Sequence, residues 1–181
     1  LARVAFTTFA IMKQPYGHQE VQGFEDLTPP VFEVAEDSPG FIARAKETDD
    51  LTHLTNFERD WGEWGAFSVP RFYTGGFTMS TDTRASTLSL WEDIDSVYQF
   101  VYKGLHLTAL KQRHEWFVKP EWPTYAMWYA EEGEIPTWEE ASRKLELLHD
   151  NGPTLASFDF KQLFDESGNP FQIRPKVSQD K

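Results

Sequence analysis

Two side chains of this sequence are spaced for acid–base chemistry on a small molecule, His106 and Arg113. Histidine is the side chain whose unperturbed titration falls near neutrality, so it takes and returns a proton at physiological pH. At about 100° per residue, Arg113 lies on nearly the same helical face as His106, where a guanidinium would hold an acidic group or an enolate. His114 is offset by about a quarter turn. A core histidine and a surface ion pair are the ordinary alternatives for the first two. Trp91, Tyr98, Tyr102, Tyr73 and Tyr16 offer faces that stack on a planar substrate and N–H or O–H groups for a developing oxyanion. Trp61 and Trp64, in a long polar stretch, and Trp128, in an apolar run, are further candidates for substrate binding. His18 and His53 lie in polar loops able to cap a cavity. His149 falls where a helix should end and a cation suits the dipole.

These side chains need a scaffold, and the stretch from Thr87 to Phe117 forms its centre. Thr87-Leu88-Ser89-Leu90-Trp91 is short, apolar and bounded by polar residues, the pattern of a buried strand ending in an indole. Glu92-Asp93 places acids where a helix would begin. Ile94, Val97, Tyr98 and Val101 follow at i, i+3, i+4 and i+7, one apolar stripe. Gly104 breaks it, and a second helical segment carries His106, Leu110, Arg113, His114 and Phe117. A strand ending in Trp that leads into a His-bearing helix fits a wall of a small-molecule pocket and fits ordinary core equally well.

Arg3 to Met12 reads as a strand apolar on both faces. Residues 13–65 read as a long excursion with embedded Phe57, Trp61 and Trp64, expected to fold over the pocket as a lid. Within it, Thr28-Pro29-Pro30 opens a helix with Thr28 as N-cap. Ser38-Pro39-Gly40 interrupts that helix before it resumes over 41–46. Ala66 to Phe77 reads as the second strand and Thr124 to Ala130 as the fourth. Thr137 and Glu140 form a capping-box pattern, and the helix they open stops near Asn151-Gly152-Pro153. Leu155 to Phe160 adds a short edge strand. The order β-α-β-β-α-β predicts an α+β, ferredoxin-like split β-α-β sheet in a single domain, 1–164, with a loose polar tail, 165–181. With one helical layer and strands apolar on both faces, the uncovered face predicts a C2 homodimer.

Composition sets limits. The 181 residues suffice for one core, and a net charge of −12 opposes a nucleic-acid or anionic-membrane surface. No apolar run approaches the roughly 18 residues of a membrane span, and Leu1-Ala2-Arg3-Val4 reads as strand rather than signal peptide. The absence of cysteine and of any Asn-x-Ser/Thr acceptor points to a cytoplasmic protein. No phosphate-cradling glycine loop, His-Glu-x-x-His pair or Gly-x-Ser-x-Gly elbow occurs, so no metal and no tightly bound cofactor are expected. Aromatic residues make up 15%, with 7 Trp and 15 Phe, more than a core of this size needs. The surplus fits a cavity for a hydrophobic small-molecule substrate, or a subunit interface.

Ser89-Leu90-Trp91-Glu92, Phe100-Val101-Tyr102, His106, Arg113 and Trp116-Phe117 together resemble a widespread domain family of unassigned function. The likeness continues through Tyr125 to Trp128, Gly133-x-Ile135-Pro136-Thr137, Glu139-Glu140-Ala141 and Gly152-Pro153-Thr154 with Phe158. That family is similar to the dimeric α/β-barrel superfamily, which includes the antibiotic-biosynthesis monooxygenases. The resemblance implies a dimeric α/β barrel, with Trp91 at the end of the third strand and His106 on the next helix lining the pocket. It implies a secondary-metabolite tailoring enzyme, leaning to a cofactor-independent monooxygenase. The rivals are a redox-neutral cyclase, isomerase or pericyclase, and a non-catalytic ligand-binding protein of the same fold. A haem ligated by His106 is a further reading of the same resemblance.

Overall fold

The computed structural model describes residues 2–46, 60–75 and 83–173. The strand β1 (Arg3–Ile11) is central, antiparallel to β3 (Arg84–Trp91) on one side and to β4 (Tyr125–Ala130) on the other. β2 (Phe41–Arg44) pairs outside β3, giving the order β2-β3-β1-β4. With α1 (Gln22–Glu36) between β1 and β2, and α2 (Ile94–Val101) and α3 (Gly104–Trp116) between β3 and β4, this is the expected ferredoxin-like α+β sheet. α4 (Trp138–Asn151) follows β4, opened by Thr137, whose hydroxyl accepts from the Glu140 N–H at 3.2 Å.

Two elements fall elsewhere than the pattern predicts. The second strand is Phe41–Arg44; residues 66–75 carry none, and Pro70 instead heads a turn closed by the Tyr73 N–H on its carbonyl at 3.0 Å. Four residues after a helix are too few to show a period of two, so they read as helix resumed. Gly40 makes the change of direction with φ +80, and its carbonyl accepts the Glu92 N–H at 2.7 Å. α1 starts six residues before Thr28 and runs through Pro29 and Pro30. The Thr28 hydroxyl caps nothing; it donates to the Phe24 carbonyl at 2.8 Å. Tertiary packing overrides the prolines here: Gly23, without a side chain, lets α1 approach the Trp116 indole of α3.

Strand alternation sorts the core into two layers. Val4, Phe6, Trp91 and Met127 face α2 and its neighbours. Ala5, Leu90 and Trp128 face the other way, toward Trp61, Trp64 and Trp138. That second face is buried within one chain, with Leu88 and Trp128 each 1% exposed. Among the described residues, the uncovered sheet face from which a second copy was inferred is therefore absent. Residues 155–160 form no strand; Phe158 makes a single bridge to Met127 on β4. The expected loose tail begins as a short hairpin, β5 (Leu163–Phe164) with β6 (Pro170–Phe171), whose turn is held by Asp165 accepting the Ser167 and Asn169 N–H groups at 2.9 Å. No helix among the described residues is long and apolar enough to cross a membrane.

Candidate functional site

The site grows from the break between α2 and α3. Gly104, at φ +57, turns the chain so that His106 folds back on the end of α2, its Nδ1 3.0 Å from the Val101 carbonyl. A carbonyl only accepts, so Nδ1 carries the proton and the neutral ring keeps its lone pair on Nε2. Burial lowers the His106 pKa below its ordinary value, opposed in part by that hydrogen bond. The ring lies 4.7 Å from Phe100, which stacks on Trp91 at 5.1 Å; Phe41 meets Trp91 edge-on at 5.3 Å. The Trp91 N–H donates to the Ser89 hydroxyl at 2.8 Å. Trp91 is thus a wall, its donor already engaged, and not the oxyanion donor the sequence offered.

A cavity of about 550 Å³ lies between this sheet face and helices α1 and α3. His106, Ala109, Leu110 and Arg113 line it from α3, the i, i+3, i+4, i+7 face that places His106 and Arg113 together. Phe24, Val31 and Phe32 line it from α1, and Trp91 and Tyr102 from the β3–α2 side. Arg113 is exposed at the rim, its Nη1 donating to the Leu110 carbonyl at 2.6 Å. Burial raises the Tyr102 pKa, with the neighbouring Tyr125 hydroxyl acting the other way, so Tyr102 is a protonated donor at neutral pH. Tyr125 is more deeply desolvated; its pKa is raised far beyond the phenol range, and its oxygen accepts the Phe160 N–H at 3.0 Å.

Other sequence candidates are elsewhere. Tyr98 does not line the cavity; it packs on Tyr102 at 4.9 Å and Phe160 at 5.5 Å, buttressing that corner. Trp61, Trp64 and Trp128 belong to the core across the sheet, where Trp61 meets Trp138 at 5.2 Å. They face away from the cavity because Trp128 holds an even position of β4, whereas Tyr125 and Met127 hold odd ones. Tyr73 packs on Phe9 at 5.7 Å on that same side. Tyr16 lines the cavity, but its hydroxyl donates to the Arg84 carbonyl at 3.0 Å. His114 also lines it, exposed. His18 is a cap, its Nδ1 accepting the Glu20 N–H, and His149 pairs with Asp150 at 3.0 Å; His53 and Phe57 lie outside the described residues. No group of three metal-ligating side chains gathers among the described residues. Phe100, Tyr125 and Arg44 were missed. Phe100 sits one residue off the apolar stripe of α2, and Arg44 lies on the strand that read as helix.

An antiparallel ferredoxin-like sheet, with an aromatic-lined cavity under one helical layer and a neutral histidine at its wall, defines the α+β class of the chain. The chain belongs to the family described as Domain of unknown function (DUF3291), whose profile matches residues 3–173. Among solved structures it is similar to a Nitrosomonas europaea protein provisionally named an antibiotic biosynthesis monooxygenase (13% identity, TM-score 0.42, covering 75% of this chain and 93% of that one). It is also similar to SnoaB, a cofactor-independent oxygenase from Streptomyces nogalater (11% identity, TM-score 0.40, 73% and 96%). A third, of unknown function from Nitrosomonas europaea, has 9% identity and a TM-score of 0.43, covering 75% and 96%. No curated protein matches the chain.

Proposed function

We propose that the chain is a tailoring enzyme for a small hydrophobic metabolite, a cofactor-independent monooxygenase acting on an electron-rich substrate such as an enol or anthrone. The state of His106 carries this reading: its Nδ1–H is held by Val101, burial keeps the ring neutral, and the ring borders an apolar cavity. Nε2 takes a proton from a substrate methylene beside a carbonyl or aryl system. The carbanion passes an electron to dioxygen, the pair combines through a C–O bond, and the peroxide loses water. One methylene and one dioxygen become one ketone and one water, the methylene supplying all four electrons. Tyr102 donates to the substrate oxygen as charge develops on it.

The second reading is a redox-neutral cyclase, isomerase or pericyclase. The protonated Tyr102 beside Tyr125 favours it, because a base and a carbonyl-polarising donor in one cavity suffice to move a proton or hold a reactive conformer. Anthrone serves as the probe for both. Deuterium exchange at its methylene in anaerobic D2O reads deprotonation, and an oxygen electrode reads oxygenation. Exchange with oxygen uptake supports the oxygenase; exchange without uptake supports the redox-neutral enzyme. Binding with neither makes this a non-catalytic ligand-binding protein. The proposed chemistry draws its named groups from one chain, so it does not depend on the homodimer, which sedimentation at micromolar concentration tests against the 21.0 kDa chain.

A further inference from the structure

The charges around the cavity are one-sided. Arg44, Arg113 and Lys119 line it, and among the described residues no Asp or Glu does, in a chain with 29 acids and 17 bases. Arg44 is the inner cation: its side chain is 19% exposed, and its guanidinium lies over the Phe32 ring at 4.0 Å. Its Nε donates to Glu36 at 2.8 Å and its Nη1 to the Ala45 carbonyl at 3.3 Å. A guanidinium has five N–H donors, so three of them have no acceptor among the described residues. Glu36 does not neutralise the group, because the same carboxylate oxygen also accepts from Lys46 at 2.6 Å. Two cations share one carboxylate, and among the described residues the cluster is left with one positive charge.

Register places this charge on the same sheet face as the aromatic wall. Arg44 pairs with Ser89, two residues before Trp91, which is about 7 Å along the strand. Trp91 is joined to His106 through the stacked Phe100. Arg44, Trp91, Phe100 and His106 all line the one cavity.

We propose that the cavity binds an organic anion, an apolar ring system bearing a carboxylate, with the carboxylate held by Arg44. This names the charge of the substrate and rests on the reading of the cavity given above. The planar fork fits a carboxylate end-on through the donors that Glu36 and Ala45 leave unused. Phe32 fixes the guanidinium plane, and the ring system lies against Phe100 and Trp91 with its reactive carbon toward His106. Arg113 and Lys119, exposed at the rim, attract an anion to the mouth but are hydrated and less selective.

The test is calorimetric titration of the full chain with 2-naphthoate and with 2-naphthamide, which has the same shape and no charge. The acid is expected to bind at least tenfold tighter than the amide. Arg44→Gln should abolish that preference by weakening acid binding far more than amide binding; its Glu36 keeps Lys46, so no carboxylate is orphaned. Glu36→Gln, which removes the competing charge, should enlarge the preference severalfold. This second variant decides the matter if Arg44→Gln does not fold. Equal binding of acid and amide to the wild type overturns the anion site and leaves the cavity reading standing. A preference that survives Arg44→Gln, or is unchanged in Glu36→Gln, overturns the assignment to Arg44. Binding of neither probe overturns the cavity reading itself.

Discussion

Replacing His106 by alanine separates a base from a structural histidine, because the two roles predict opposite readouts. Loss of a general base lowers turnover by roughly 10²–10⁴. The structural cost is smaller. The Val101 carbonyl loses its partner, worth about 1–3 kcal/mol if it stays dry, and Phe100 loses one packed face. For a chain of this size each kcal/mol moves the melting temperature by about 2–4 °C, so a fall of roughly 2–12 °C is expected. The assay is anaerobic deuterium exchange on anthrone, normalised to folded protein, with a melting curve on the same sample. The pH dependence adds a second reading. Burial holds the His106 pKa below 6.5, so the exchange rate should climb with pH, have its midpoint below 6.5, and be flat by neutrality. Stability has a matching sign. The unfolded chain takes the proton near 6.5 and the folded chain resists it, so the contribution is complete above 6.5. It is lost as pH falls toward the folded value, and the alanine variant should lack that component. A variant with a normal rate per folded molecule refutes the catalytic assignment, whatever its melting temperature.

Tyr102→Phe should slow exchange by about 10²-fold through loss of the oxyanion donor, with little thermal effect because the ring is kept; an unchanged rate removes Tyr102 from the chemistry. Trp61→Ala should cost about 3–5 kcal/mol through the cavity left against Trp138, while naphthoate binding by the folded fraction is unchanged. A lid residue would show the reverse, weakened binding at normal stability. Gly40→Ala should destabilise by at least about 2 kcal/mol, since φ is +80 and a Cβ there would sit 2.0 Å from the Ser96 hydroxyl oxygen and 2.6 Å from its Cβ; chemical denaturation measures it.

The parts of this protein visible in the sequence are those governed by local periods. The apolar runs of β1, β3 and β4, the stripe of α2, the break at Gly104 and the Thr137 cap each follow from neighbours within one or two turns, and the family resemblance rests largely on the same stretches. The 3.6-residue period also put His106 and Arg113 on one face of α3, as the cavity lining bears out. What the tertiary structure decided is which face each element turns inward and how far. β2 was hidden because four residues carry no readable period, and with it Arg44 was hidden too. α1 runs through two prolines because packing on α3 outweighs the lost backbone bonds. Trp61, Trp64 and Trp128 have the composition of a binding surface, yet they close the second face of the sheet, making within one chain the layer that had seemed to require another copy. An aromatic side chain gains nearly the same free energy in a core as against a ligand, so residue type cannot separate the two uses. Only the side of the sheet on which the ring falls does, and that is set by strand register and long-range packing.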